Sequence, residues 1–446
     1  MEITIAGAGA GKTTTMANKI IEIHSTLKND KKVFCLAFTN NAVRCINNKL
    51  KEYYGDIPND IIVSTIHSFL YREFIKPYYY LLYSKQYEKI STVELPDNVR
   101  YKNKKIKELD DNNVIHQTVF PERAKWVIVQ KSGDRKNIKE KRALILTIVK
   151  NYIGAICIDE AQDIDDHMYR ILQKLDEIGI DIIMMGDPKQ DLRGYGNLRK
   201  LAASFPDSTY YIKHCHRCPQ KHLDLSNTIV VDEEKQSSDK TEGIISIIFE
   251  SEISYEKLLS NKVFDLCYIS KRGNGFDTHL EEKRNPFNSI CEEIELILKS
   301  KLDVINDASL NKCSIDAYIL TKILLKHYYK CFNKGKSMKR IFSKGYLNKS
   351  QYAKIINFLP DNDLIQTNVH YVNSIDNIKG QEGTDCLFIL TNDLAQYLLK
   401  KKTDDNKTKN KLYVALTRSL YSLTIFITRD VENKYGKEAF DFITKI

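Results

Sequence analysis

Long apolar runs are missing from this chain of 446 residues. None reaches the ~20 residues that carry a helix across a bilayer, so the reading contains no membrane span and no membrane partner. The first residues lack the basic, apolar and small-residue order of a secretory leader. Residues 2–5 read instead as a strand that a cleavable leader would destroy, so a cytoplasmic location is expected. The ten cysteines follow no disulfide-like spacing, which fits a reducing compartment. Proline is scarce, with nine in all, while Lys, Asn, Ile and Tyr are abundant, a bias that an AT-rich coding sequence produces. No internal repeat is visible. Acidic residues are outnumbered 58 to 68, which leaves a net charge of +10. That balance admits either a polyanionic partner or a solvated lysine-rich face. The length accommodates roughly two to four domains.

What is present begins at once. Residues 2–5 (Glu-Ile-Thr-Ile) form a short apolar strand pattern, followed by Ala-Gly-Ala-Gly-Ala-Gly-Lys-Thr over 6–13 and a helical pattern from about Thr13. This is a Walker A loop with Ala at its first glycine position. Gly7, Gly9 and Gly11 let backbone N–H groups approach phosphates, Lys12 can reach the β- and γ-phosphates, and the Thr13 hydroxyl can sit on Mg²⁺. The start of the helix adds a favourable dipole. ATP and Mg²⁺ are therefore the expected nucleotide and cation.

Further apolar runs at 33–38, 61–63, 153–158 and 182–185 each stop just before a polar motif. Buried parallel strands have this texture, and ligands collect at their carboxyl ends. A second series lies at 265–269, 386–391 and 423–428. The expected fold is α/β, with two cores of parallel sheet, each carrying a small, mainly helical insertion; the resemblance set out below implies that both are RecA-like P-loop NTPase cores. The first core takes 1–70 and 151–205 with an insertion at 71–150. The second takes 206–284 and 366–446 with a reduced insertion at 285–365. Residues 400–411 are charged and read as a loop.

At the end of the 153–158 run stand Asp159-Glu160-Ala161-Gln162-Asp163. Paired carboxylates there suit a phosphoryl-transfer site, with Asp159 holding the metal and Glu160 polarising the attacking water.

The order of motifs resembles superfamily 1 helicases of the UvrD/Rep/PcrA type. Residues 6–13 resemble motif I and Ala37-Phe-Thr-Asn-Asn-Ala-Val-Arg44 motif Ia. Ser64-Thr-Ile-His-Ser-Phe69 resembles the next strand-contacting motif. Residues 159–163 match motif II and Gly186-Asp-Pro-Lys-Gln190 motif III. His216-Arg217 falls at motif IV, Lys379-Gly380-Gln-Glu382 within motif V, and Leu412-Tyr-Val-Ala-Leu-Thr-Arg418 at motif VI. The resemblance implies that Gln190 senses the γ-phosphate and that Arg217 and Arg418, from the second core, stabilise charge on the transferring group. It also implies that Glu382 bonds the ribose, with Thr14 and Gly380 completing the nucleotide contacts. Single-stranded DNA, or DNA with single-stranded tails, would meet Phe38, Thr39, Asn40, Arg44, Thr65, His67 and Tyr195, the last where the family carries a stacking Trp.

The implied function is ATP-driven 3′→5′ translocation on, or unwinding of, DNA. The chain departs from the family pattern in four places. Nothing precedes the first strand to carry an adenine-reading Gln, His216 replaces a stacking Tyr, Gly196 stands where an Arg is usual with Arg193 nearby, and the insertions are small. The chain also stops soon after Arg418, so any cleavage is expected from another polypeptide. A second reading follows from the Cys215-His-Arg-Cys-Pro-Gln220 phrase and the short path from motif V to motif VI. These resemble the helicase-like subunit of Gabija-type anti-phage systems, which implies a DNA-sensing NTPase with weak unwinding and a nuclease partner. An RNA-directed ATPase is a third reading. His214, Cys215, His216, Cys218 and His222 could hold zinc or simply form a loop entering a helix. The lysine patches at 102–107 and 131–141 could track phosphates or be solvated faces.

Overall fold

The computed structural model describes all residues except 28–30, 97, 274, 279–286, 303–306, 332, 344, 360–369 and 446. The expected boundaries at 284/285 and 365/366 lie outside the described residues. Contacts divide the chain into two units, one of Met1–Ser84, Phe120–Thr278 and His370–Ile446, the other of Lys85–Val119 and His279–Val369. The 71–150 stretch is thus shared between them.

The larger unit is built on two large parallel sheets, beside a small parallel pair of Phe276–Asp277 with His370–Tyr371. The first has six strands in the order Ile61–Thr65, Lys32–Ala37, Ile153–Ile158, Asp181–Gly186, Glu2–Ala6 and Thr209–Ile212. Every pairing in it is parallel. The inner strands are near-continuous runs of β-branched and apolar residues because helices cover both faces. Ile3, Val33, Phe34, Cys35, Leu36, Ile156 and Cys157 are all buried. The chain order doubles back around Glu2–Ala6, which puts the phosphate-binding loop at a topological switch, where such sheets bind ligands.

The second sheet has five parallel strands, Asn373–Ser374, Leu266–Ile269, Gly383–Leu390, Ser419–Ile427 and Ile244–Phe249. The apolar runs at 265–269, 386–391 and 423–428 fall on three of these. Ile244–Phe249 and Thr209–Ile212 are edge strands that the sequence reading did not single out. Two expectations are corrected. Thr209–Ile212, expected in the second core with 206–284, pairs with Glu2–Ala6 of the first sheet. Residues 400–411 are not wholly loop, because helix Lys407–Leu416 starts inside them, capped by Asn406, whose side chain accepts from the Thr408 and Lys409 amides. Such a cap satisfies amides that a helix start otherwise leaves unpaired.

The smaller unit pairs a short two-stranded ribbon, Lys89–Ser91 with Val114–His116, with helices Val99–Asp111, Phe287–Lys299, Asp307–Cys331, Lys334–Ile341 and Lys349–Phe358. Ile290, Ile294, Ala317, Leu324, Met338 and Ile355 form its core. Glu293 is buried there between two cations, Lys105 at 2.5 Å and Lys354 at 3.1 Å. Among the described residues, no helix of either unit is long and apolar enough to cross a membrane.

Removing one partner of a buried ion pair leaves the other uncompensated. Lys105→Ala should therefore destabilise the smaller unit by about 3 kcal/mol, with Lys354 retaining part of the compensation. Thermal unfolding of the variant beside the parent checks this.

Candidate nucleotide-binding cleft

The loop of residues 7–11 leaves strand Glu2–Ala6 and enters helix Lys12–Thr26. Gly9 and Gly11 have φ of +67° and +74°, the left-handed region that glycine enters at little cost. Gly9 is constrained twice over, since a Cβ there would lie 2.4 Å from Arg217 Cβ and 2.9 Å from Cys215 Sγ. Lys12 folds back over the loop, its Nζ donating to Gly7 O at 3.0 Å and Ala6 O at 3.3 Å. Those carbonyls hold the ammonium beside the space where phosphates would lie. Thr14 is exposed on the first turn of the helix.

Strand Ile153–Ile158 delivers Asp159 to the same edge. Its Oδ2 accepts from the Thr13 hydroxyl at 3.4 Å, and its Oδ1 accepts from the Glu160 amide at 2.9 Å. Asp159 is almost fully buried. Burial, reinforced by the charge of Glu160, pushes its pKa up to about 6. A buried carboxylate facing a hydroxyl, and short of positive charge, matches the oxygen donors that Mg²⁺ takes alongside phosphates. Thr13 and Asp159 therefore fit the cation.

Glu160 adopts φ +58°, a left-handed conformation unusual for a residue with a side chain. Burial pushes its carboxyl pKa up, but Lys12 and Lys379 outweigh that and hold it below the usual range. Its side chain accepts from Gln162 Nε2, while Gln162 Oε1 accepts from the Asp187 amide at 3.0 Å. Gln162 thus ties the two acidic strand ends together. It also explains Gly186, where a Cβ would come within 2.6 Å of Gln162 Oε1. Gln190, on the turn Pro188–Gln190, is buried and donates to Asp187 Oδ2 at 2.8 Å. Asp187 is fully buried; Lys189 and Lys12 overcome the cost of burial and keep its pKa low.

The second sheet supplies the opposite wall. Arg217 lies over Gly9 and donates through Nε to Glu382 Oε2 at 2.6 Å. Glu382, expected at a ribose, is thus paired with Arg217. Gly380 has φ +82° in the turn before it, and neighbouring Lys379 reaches Asp163 at 2.6 Å. Arg418 is fully buried, yet its partners are neutral oxygens: Val414 O at 3.0 Å, Gln381 O at 3.3 Å and Thr417 Oγ1 at 3.2 Å. Burial and then Arg217 press its pKa down. Arg217 on this wall, with the buried Arg418 near it, makes it suited to an anion.

The residues expected to meet a strand occupy another part of the same edge. The register Ala37↔Thr65 sets residues 38–40 beside 65–67. Phe38 is half-buried, and Asn40 and Arg44 are exposed. Thr39 caps its helix through the Ala42 amide, and Arg44 bonds Asn41. Thr65 caps the next turn through Ser68. His67 packs against Phe120, and burial lowers its pKa despite Asp165. Asp165 also bears on Tyr195, which is 38% exposed. Asp191 pins the Tyr195 loop through the Gly194 and Gly196 amides, both at 2.7 Å. Gly196 has φ +64° at a helix start, a conformation that disfavours the arginine usual there.

Cys215 and Cys218 are buried, with the Cys218 amide donating to Cys215 Sγ at 3.3 Å. His222 turns to Ile244 O at 3.1 Å. Among the described residues, no three His, Cys, Asp or Glu side chains form a metal cluster.

The sequence reading missed Asp187, Asp191 and Gln236. Asp187 sat inside a quoted motif and could have been found by its place at a strand end. Gln236 carries no local signal.

Comparison with known proteins adds three findings. Residues 1–195 match the family model described as an AAA domain. The Gabija protein GajB of Bacillus cereus (strain VD045) is 28% identical over 303 residues, spanning 61% of this chain and 57% of that protein. A solved complex of arterivirus nonstructural protein 10 (helicase) with DNA covers 97% of this chain and 62% of its own, at 10% identity and a TM-score of 0.40. The chain therefore spans little more than half the length of the curated relative it matches.

Asp159 gives a sign-definite expectation. Its folded pKa of about 6 stands above the 3.8 of an ordinary aspartate, so the native state holds the extra proton between those values. Its ionisation then costs stability as pH rises through that window, by up to about 3 kcal/mol above pH 6. Without nucleotide, Asp159→Asn should raise Tm at pH 7.5, and the gain should vanish near pH 4. A pH series of melting curves measures this.

Proposed function

We propose that this chain, which is of the UvrD-like superfamily 1 helicase type, hydrolyses ATP in the cleft between its two sheets and uses the cycle to move along single-stranded DNA in the 3′→5′ direction. One observation carries the reading. The phosphate-binding loop, the Asp159–Glu160 pair and Gln190 lie on one sheet, and from the second-sheet half Arg217 lies over that loop with Arg418 buried near it.

Lys12 swings from the loop carbonyls onto the β- and γ-phosphates. Thr13 and Asp159 would hold Mg²⁺, which would supply charge neutralisation at the phosphates. Glu160, kept ionised by Lys12 and Lys379, orients a water and receives its proton as the water oxygen bonds to the γ-phosphorus. The bond to the bridging oxygen breaks, leaving ADP and phosphate. Arg217 releases Glu382 to meet the transferring group, and Arg418 finds in it the anion its neutral partners do not provide. Arginines delivered across a cleft are worth ~10³–10⁵ in rate and make hydrolysis depend on closure. Phe38, Thr39, Asn40, Arg44, Thr65, His67 and Tyr195 would grip the strand, with Tyr195 stacking on a base.

A second reading is favoured by the likeness to the Gabija protein GajB. In it the chain is a nucleotide-hydrolysing DNA sensor in anti-phage defence, unwinds little, and works with a nuclease subunit.

Steady-state ATP hydrolysis without nucleic acid, and with single-stranded DNA, duplex DNA or RNA, tests the proposal. We expect large stimulation by single strands that weakens with salt. Lys12→Ala and Glu160→Gln should abolish turnover, with Glu160→Gln still binding nucleotide. Arg418→Ala should lose at least ~10³-fold when assayed well below its melting point, and because the side chain is fully buried and bonded its Tm should fall as well. Turnover that ignores nucleic acid would sink the motor, and streptavidin displacement only from the 3′ end of a biotinylated oligonucleotide would reverse the polarity.

A further inference from the structure

Ala8, inside the phosphate-binding loop, is fully buried, and both of its backbone groups are held by side chains from the second-sheet half of the chain. Its N–H donates to the Tyr413 hydroxyl at 3.1 Å, and its carbonyl accepts from Gln236 Nε2 at 3.0 Å. The Tyr413 hydroxyl in turn donates to Gln236 Oε1 at 2.6 Å. Three hydrogen bonds therefore close a ring in which every donor meets an acceptor. Ala8, Tyr413 and Gln236 are 0%, 2% and 5% exposed, so water cannot replace a lost bond without a rearrangement.

The ring is rigidly placed. Gln236 is anchored by Asn227, which accepts from its amide at 3.0 Å and donates to its carbonyl at 2.8 Å. Its side chain lies on Gly7 so closely that a Cβ there would come within 2.1 Å. The Tyr413 ring lies under Lys189 Nζ, 5.0 Å from its centroid, and Lys189 belongs to the turn that carries Gln190. One tyrosine thus touches the phosphate-binding loop and the turn expected to sense the γ-phosphate. Turning the Gln236 amide over would face its oxygen to the Ala8 carbonyl, so the ring fixes the amide's orientation as well.

We infer that Gln236 and Tyr413 are positioning residues that hold the phosphate-binding loop in its nucleotide-ready shape, so that seating of the second sheet sets the affinity of the first for ATP. This rests on the hydrolysis reading above. Neither residue touches the reacting atoms; each acts through Ala8. When the ring opens, the Ala8 amide and carbonyl are left unpaired, and the loop relaxes to recover partners.

The test uses Gln236→Glu, which keeps size and shape. A carboxylate oxygen then faces the Ala8 carbonyl, whereas the protonated acid can donate to it as the amide does. Binding of the β,γ-imido analogue of ATP with Mg²⁺ is measured for parent, Gln236→Glu, Tyr413→Phe and the double variant at pH 8 and pH 6, beside their melting curves. The expected result is affinity about tenfold weaker than the parent for each single variant at pH 8, the cost of one unpaired buried group. The Gln236→Glu ratio to parent should narrow at pH 6, while the Tyr413→Phe ratio should not. The double variant should be no weaker than the worse single, because both break one ring. Equal affinities in variants and parent overturn the inference. So does a pH-independent loss that tracks a fall in Tm, which would mark the ring as structural only. A parent that does not bind the analogue overturns the hydrolysis reading instead.

Discussion

Three carboxylates, those of Asp159, Glu160 and Asp187, crowd the ends of two neighbouring strands where little water reaches. Like charges so placed repel, and burial penalises each one. The surroundings are arranged around that cost. Lys189 pairs with Asp187 at 2.9 Å. Lys12 bears on all three. Gln162 bridges Glu160 to the Asp187 backbone. The compensation is uneven: Glu160 and Asp187 are held ionised, while Asp159 is left with its pKa raised. Environment alone thus sets two adjacent carboxylates apart, as the base and cation-holding roles proposed for them require.

Part of that compensation comes from the other sheet. Lys379 helps to hold Glu160 ionised and pairs with Asp163, and it stands on the turn beside Gly380 and Glu382. Arg199 makes a similar link, paired to Glu234 and to Asp405 at 3.1 Å. The two sheets are therefore coupled through charge as well as packing. A shift of one changes the field at the other's carboxylates, which is the two-state bias that a nucleotide-driven cycle exploits.

How much of this was legible in the sequence depends on how local each signal is. The inner strands announced themselves, because a strand covered on both faces must be apolar along its whole length, as 33–37 and 153–158 are. Edge strand Thr209–Ile212 did not, since Tyr210 and Tyr211 face solvent and its pattern is that of a surface segment. The helix start at Lys407 was hidden by a run of lysines, with only Asn406 to mark the cap. At the site, Asp159 and Glu160 were readable from their strand, but the pairing of Arg217 with Glu382 was not. It joins residues 165 apart, and neither flank reports on the other. Gln236 is the extreme case, a polar residue in a polar stretch whose partner lies 228 positions away.

Glu160 carries a last consequence in its backbone. A left-handed φ on a residue with a long side chain costs about 1 kcal/mol or more, and glycine or asparagine would tolerate it better. Heat resistance and chemistry therefore pull in opposite directions at this one codon. A library of variants sorted for survival at high temperature would enrich Gly or Asn at position 160, and on the hydrolysis reading proposed above the winners of that contest would be inert folds. Any effort to harden this protein must hold that position fixed and seek its gains elsewhere.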